Sequence, residues 1–123
     1  MLEERPAALD SVFHALSDRT RRAMLRSLTT GERNIGELAA PHRMSFAAAS
    51  KHVKVLEQAG LVRRRIEGRA HVCRIEAAPL ATADQWLRFY ERFWIERLGL
   101  LDDLLRAEDQ EAANRLKRGR IKR

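Results

Sequence analysis

The chain has 123 residues and a single cysteine, Cys73. That excludes an internal disulfide framework and a zinc site made of cysteines alone. No apolar run reaches the roughly eighteen residues that a membrane-spanning helix requires. The opening residues, Met1-Leu-Glu-Glu-Arg, lack the apolar region of a secretory signal. A cytoplasmic protein is expected, with no membrane partner. There is no glycine-rich phosphate loop, no Gly-x-Ser-x-Gly and no His-Glu-x-x-His. Serine, histidine and aspartate occur, but not at spacings that suggest a triad. The expectation is a protein that is not an enzyme and carries no cofactor. The length suits one domain with a modest core, without room for a separate substrate domain.

What is present is positive charge, unevenly spread. Lysine and arginine number 24 against 17 acidic residues, a net charge of +7. Residues 1–18 hold one base and four acids, whereas residues 19–75 hold thirteen bases and four acids. Residues 76–113 hold four bases and nine acids, and residues 114–123 hold six bases and no acid. A basic middle between acidic flanks points to one charged working surface, with nucleic acid a natural partner.

Leu9, Val12, Phe13 and Leu16 recur at helical spacing and predict a first helix over residues 7–17. Asp18 is a good N-cap for a second helix ending near Leu28, with Ala23, Met24 and Leu28 inward. Residues 29–33 read as a turn. A short third helix over 35–40 stops at Pro41. Ser45 can cap a fourth helix over 46–59, with Gly60 placed to terminate it. Segments 61–66 and 72–75 are strand-like, and Glu67-Gly-Arg-Ala70 forms the tip of a hairpin between them. Pro79 opens a last helix over about 80–107. The expected fold is mainly α with a two-stranded β-wing, a winged helix-turn-helix. Residues 1–113 are expected to form the DNA-binding and dimerisation domain, and residues 114–123 a disordered basic tail.

On a helical wheel, Phe46, Ala49, Val53 and Leu56 fall on one side of the fourth helix. Ala47, Ser50, Lys51, Lys54 and Gln58 fall on the other, with Ala48 at the edge. Such a division suits a helix whose back grips its domain and whose front enters the major groove. It equally describes an ordinary amphipathic helix, and the neighbouring basic hairpin favours DNA. There, strand alternation places Arg63 and Arg65 on one face and Arg64 on the other, and Arg69 sits at the tip. Charge on an exposed edge strand can also serve only to prevent aggregation.

Several stretches resemble the ArsR family of bacterial repressors. They are Val12-Phe-His-Ala-Leu-Ser-Asp18, Thr20-Arg-Arg22, Gly36-Glu-Leu-Ala39, Glu67-Gly-Arg69 and the long run Ser45-Phe-Ala-Ala-Ala-Ser-Lys-His-Val-Lys-Val-Leu-Glu-Gln-Ala-Gly-Leu-Val62. The similarity extends from about residue 8 to residue 105. It implies a dimeric repressor of a palindromic operator, often its own, with Ser45, Phe46, Ala47, Ser50 and Lys51 facing DNA. One departure is Arg19, where the family usually has proline; a first helical position does not require it.

Many members of that family sense metals, through cysteines in the third helix or through Asp and His on the terminal helices. Here the third helix reads Ile35-Gly-Glu-Leu-Ala-Ala40, and no histidine follows His71. The four histidines, His14, His42, His52 and His71, fall on different elements, so no metal site is expected. His52 reads as a packed, hydrogen-bonded side chain and Cys73 as a small buried hydrophobe.

The last helix carries Leu80, Ala83, Trp86, Leu87, Tyr90, Phe93, Trp94, Leu98, Leu101, Leu104 and Leu105 at three- and four-residue intervals. That is much apolar surface for a domain whose core helices two to four already supply; the alternatives to a second subunit are a helix folded back on its own domain and a ligand pocket lined by Trp86, Tyr90 and Trp94. A homodimer is expected, with Leu9, Val12, Phe13 and Leu16 joining Trp86, Leu87, Tyr90, Phe93, Trp94 and Leu101 in the interface. The expected partner is double-stranded DNA bearing a palindromic operator. A small-molecule or protein effector is a further expected partner. The rival functions are a winged-helix protein–protein adaptor and an RNA-binding module.

Overall fold

The computed structural model describes residues 6–121, and the side chains of residues 8–119. Residues 1–5 and 122–123, the outer ends of the expected domain and tail, lie outside the described residues. The chain divides into two compact units, with the boundary after Gln85.

The first unit contains helices α1 (Pro6–Leu16) and α2 (Arg19–Ser27), strand β1 (Arg33–Asn34), helices α3 (Ile35–Ala39) and α4 (Phe46–Gln58), and strands β2 (Val62–Glu67) and β3 (Ala70–Ile75). It ends within α5 (Ala78–Ile121). Local chemistry starts α2, α3 and α4. Asp18 accepts the backbone N–H of Arg21 at 2.9 Å at the head of α2. Asn34 and Glu37 form a reciprocal capping box on α3. Ser45 accepts the N–H of Ala48 at 3.1 Å at the head of α4. Gly60 (φ +76°) follows α4 in the left-handed conformation that terminates a helix.

The strands form one antiparallel sheet in the order β1-β3-β2. Arg63 stands opposite Arg74, Arg64 opposite Cys73, and Glu67 opposite Ala70. Gly68 (φ +62°) makes the tight turn between β2 and β3. The wing therefore has a third strand, not two. Residues 33–34 pair with Val72 and Cys73. The sequence reads Arg33 as part of a turn, because two residues cannot show alternation; tertiary pairing alone makes Arg33 and Asn34 a strand.

The core joins Met24, Leu25, Leu28, Ile35, Leu38, Ala49, Val53, Leu56, Leu61 and Cys73. Three expectations are corrected here. Ala23 is exposed and Leu25 takes its place in the core. Phe46 does not join Ala49, Val53 and Leu56 inside. Val12 is 2% exposed within this core, so its surface is already spent and is not free for a dimer interface. Leu9 and Leu16 also pack partly against the core, while Phe13 is exposed.

The second unit is the helix from Trp86 onward. The helix runs through Ile121, where a stop near 107 and a disordered basic tail were expected. Residues 106–118 contain no proline or glycine and are rich in Ala, Glu, Leu, Arg and Lys, all good helix formers. The cations Arg115, Lys117 and Arg118 fall in its last turns, where the helix dipole favours positive charge. Asp102 and Arg106 pair at 3.0 Å, one turn apart. Among the described residues no helix is long and apolar enough to cross a membrane.

Candidate nucleic-acid interface

Helix α4 is anchored by its back. Ala49, Val53 and Leu56 are fully buried. Ala47, Lys51, Lys54 and Gln58 are exposed on the opposite side, and Ala48 and Ser50 are half-buried. Ser45 holds the first turn through its cap, and Phe46 lies exposed immediately after it. The turn before α4 places Arg43 in the left-handed region (φ 51°), with its N–H closing onto Ala40.

A second set of contacts fixes the attitude of α4, and it was not legible in the sequence. The buried Arg21 donates from Nε to the carbonyl of Ala15 at 2.8 Å and from a terminal nitrogen to the carbonyl of His14 at 3.0 Å. Its other terminal nitrogen lies 3.3 Å from Nδ1 of His52 on α4. One arginine thus ties the end of α1 to the middle of α4. His52 Nδ1 also lies 3.9 Å from Asp18. His52 is therefore half-buried and hydrogen-bonded, as its position beside the apolar face suggested. The Arg21 backbone N–H holds the Asp18 carboxyl below the usual carboxylate range.

The wing arginines divide by face. Arg64 turns toward α4, bonding Glu57 at 2.6 Å and approaching His71 at 3.3 Å. Arg63 and Arg74 share one carboxylate oxygen of Glu76, at 3.4 and 3.3 Å. Arg65 is clasped by Glu32 and Glu67. Glu32 above all, then Glu67, raise its pKa still further, and Arg65 in turn lowers that of Glu32. Arg69, at the hairpin tip, is exposed. Arg63, Arg64, Arg65, Val72 and Arg74 line a cavity of about 350 Å3. Arg63 and Arg69 thus present more available charge than Arg65, which must exchange carboxylates for any other anion.

Cys73 is buried beneath the wing, and burial pushes its thiol pKa up. Among the described residues, no three of His, Cys, Asp and Glu come together as a metal site would require.

Comparison with known proteins bears on what this surface meets. A family model described as a helix-turn-helix domain matches residues 16–65, spanning α2 through most of β2. The chain is 35% identical over 102 residues to the HTH-type transcriptional regulator Rv2034 of Mycobacterium tuberculosis, covering 83% of this chain and 92% of that protein. A crystal structure of an ArsR family transcriptional regulator superposes with a TM-score of 0.70 at 35% identity, covering 76% of this chain and 96% of that one. The chain belongs to the ArsR family of transcriptional regulators. The transcriptional repressor SdpR of Bacillus subtilis is a further relative, 28% identical over 79 residues, or 64% of this chain and 88% of that protein. This ArsR-family member is accordingly a regulator with a DNA-binding winged helix-turn-helix fold, and its relatives are regulators, not enzymes.

Proposed function

We propose that this regulator is a repressor acting in the cytoplasm, which binds a palindromic operator near its own gene as a homodimer. The observation that carries the reading is the two-sided character of α4. Its apolar back is fully buried, while Ala47, Lys51 and Lys54 stand exposed beside a basic wing. The alanines Ala47 and Ala48 allow close approach to a groove. Ser45, Phe46, Ser50, Lys51 and Lys54 are proposed to meet base edges and nearby phosphates. Arg63 and Arg69, with Arg65 once released by Glu32 and Glu67, are proposed to meet phosphates.

The dimer rests on α5. Trp86, Leu87, Tyr90, Phe93, Trp94 and Leu101 are all exposed on it, an apolar extent that a monomeric surface rarely carries. A second copy is the proposed cover, with Phe13 of α1 contributing. A two-fold protein reads an inverted repeat, with half-sites about one helical turn or a multiple apart.

The test joins a footprint of the wild-type protein upstream of its gene to sedimentation of the Trp86→Asp/Trp94→Asp double variant. An interface charge without a partner is strongly unfavourable. The variant should sediment as a monomer and lose operator affinity on the order of 100-fold or more, because two half-sites no longer bind as one unit. A variant that stays dimeric and binds the operator normally refutes the interface. Failure to bind duplex DNA in a salt-dependent way would indicate a protein adaptor, and RNA competition without palindrome preference an RNA-binding module.

A further inference from the structure

Among the described residues up to Gln85, three large apolar side chains are exposed: Phe13, Phe46 and Ile66. Scattered exposed hydrophobics are ordinary in a folded protein. Two of these three, however, stand on the elements assigned to DNA. Ile66 is 68% exposed, next to the hairpin tip, and Phe46 is 57% exposed in the first turn of α4. By helical spacing Phe46 shares its side of α4 with the buried Ala49 and Val53, but it stands a turn before them in the first turn of the helix, and there it is exposed instead of covered by the core. Its neighbours in that first turn are Ala47 and Ala48, which leave the ring unscreened. The Ser45 cap, bonded to the Ala48 N–H, holds the turn that presents it.

A phenyl ring has no hydrogen-bond donor or acceptor with which to read a base edge. What it can distinguish in the major groove is the C5-methyl group of thymine, which is apolar and projects into that groove. We propose that Phe46 is a specificity-determining residue that reads a thymine methyl in each operator half-site. This deepens the repressor reading and rests on it. Lys51 and Lys54 supply charge that cannot tell thymine from a base lacking the methyl. Phe46 supplies that discrimination.

The test replaces each operator thymine in turn by deoxyuridine, which lacks only the methyl group, in both half-sites of the footprinted duplex. Wild-type protein and Phe46→Ala are titrated against every duplex, with thermal unfolding as a check that the exposed substitution leaves the fold intact. Burying one methyl supports a loss of about 4-fold per half-site, hence about 16-fold for the symmetric replacement. The expected result is one thymine position at which wild type shows that loss and Phe46→Ala shows none. Indifference of the wild type at every thymine overturns the proposal, without needing the variant. Equal losses in both proteins also overturn it, since another residue then reads the methyl. Absence of any preference over random DNA overturns the repressor reading together with this one, and is distinct from methyl indifference within a preferred operator.

Discussion

Replacing Arg21 by methionine should destabilise the domain by about 2–3 kcal/mol, less than three lost hydrogen bonds would suggest. The guanidinium serves three acceptors, and they do not lose equally. The His14 carbonyl keeps the Ser17 hydroxyl at 2.6 Å and the Ser17 N–H at 3.1 Å. His52 is half-buried and still lies near Asp18. The Ala15 carbonyl, whose bond to Nε is buried, is the acceptor that loses most. An unsatisfied buried carbonyl costs about 1–3 kcal/mol, and loss of a charged donor to the other two acceptors adds to it. Methionine keeps much of the aliphatic stem, so little packing is lost. Urea unfolding at constant protein concentration measures the effect. The midpoint should fall while the slope stays unchanged, because the surface exposed on unfolding is the same. Arg21→Lys should fall between wild type and methionine, having charge but no fork. A methionine variant within about 1 kcal/mol of wild type would show that Arg21 is not the tie between α1 and α4 described above.

Two further outcomes follow from the same geometry. The Asp18 carboxyl is held below its ordinary value of 3.8, so the stability it adds is present above that pH and is lost as pH falls through the lowered value. Wild-type melting temperature should therefore drop more steeply below about pH 4 than that of Asp18→Asn, which keeps a capping oxygen without a titrating group; parallel curves would refute this. Cys73, fully buried and with a raised pKa, should react with a thiol reagent at pH 8 on the order of 100-fold more slowly in the native protein than in denaturant, and comparable rates would contradict its burial.

Much of the local architecture was legible in residue type. Asp18, Ser45 and Gly60 mark helix ends because each answers a requirement of its own backbone neighbourhood. The hairpin around Gly68 follows from turn chemistry, and the buried Ala49, Val53 and Leu56 of α4 from periodicity. Where the reading failed, the deciding partner lay far away in sequence. Strand β1 exists because Arg33 and Asn34 find Cys73 and Val72. Val12 was placed in an interface because a helical stripe does not say which neighbour it meets; here it meets its own core. The helix extension to Ile121 has a different cause: the like charges of the tail suggest disorder, yet the same residues have high helix propensity.

The sequence by itself determined the order of the helices and of the hairpin strands, the capped α4 with a buried back and a polar front, and the basic character of residues 19–75. These depend on interactions within a few residues of one another and on charge that needs no fold to be counted. Only the tertiary structure decided how that charge is used. In the sequence Arg65 reads like Arg63 and Arg69, and alternation says only that Arg64 faces the other way; in the fold Arg65 is clasped by Glu32 and Glu67, Arg64 bonds Glu57, and Arg21 braces α1 against α4. Whether a guanidinium meets a carbonyl, a carboxylate or solvent depends on which distant acceptor the fold brings within about 3 Å, and no local pattern of residues encodes that distance.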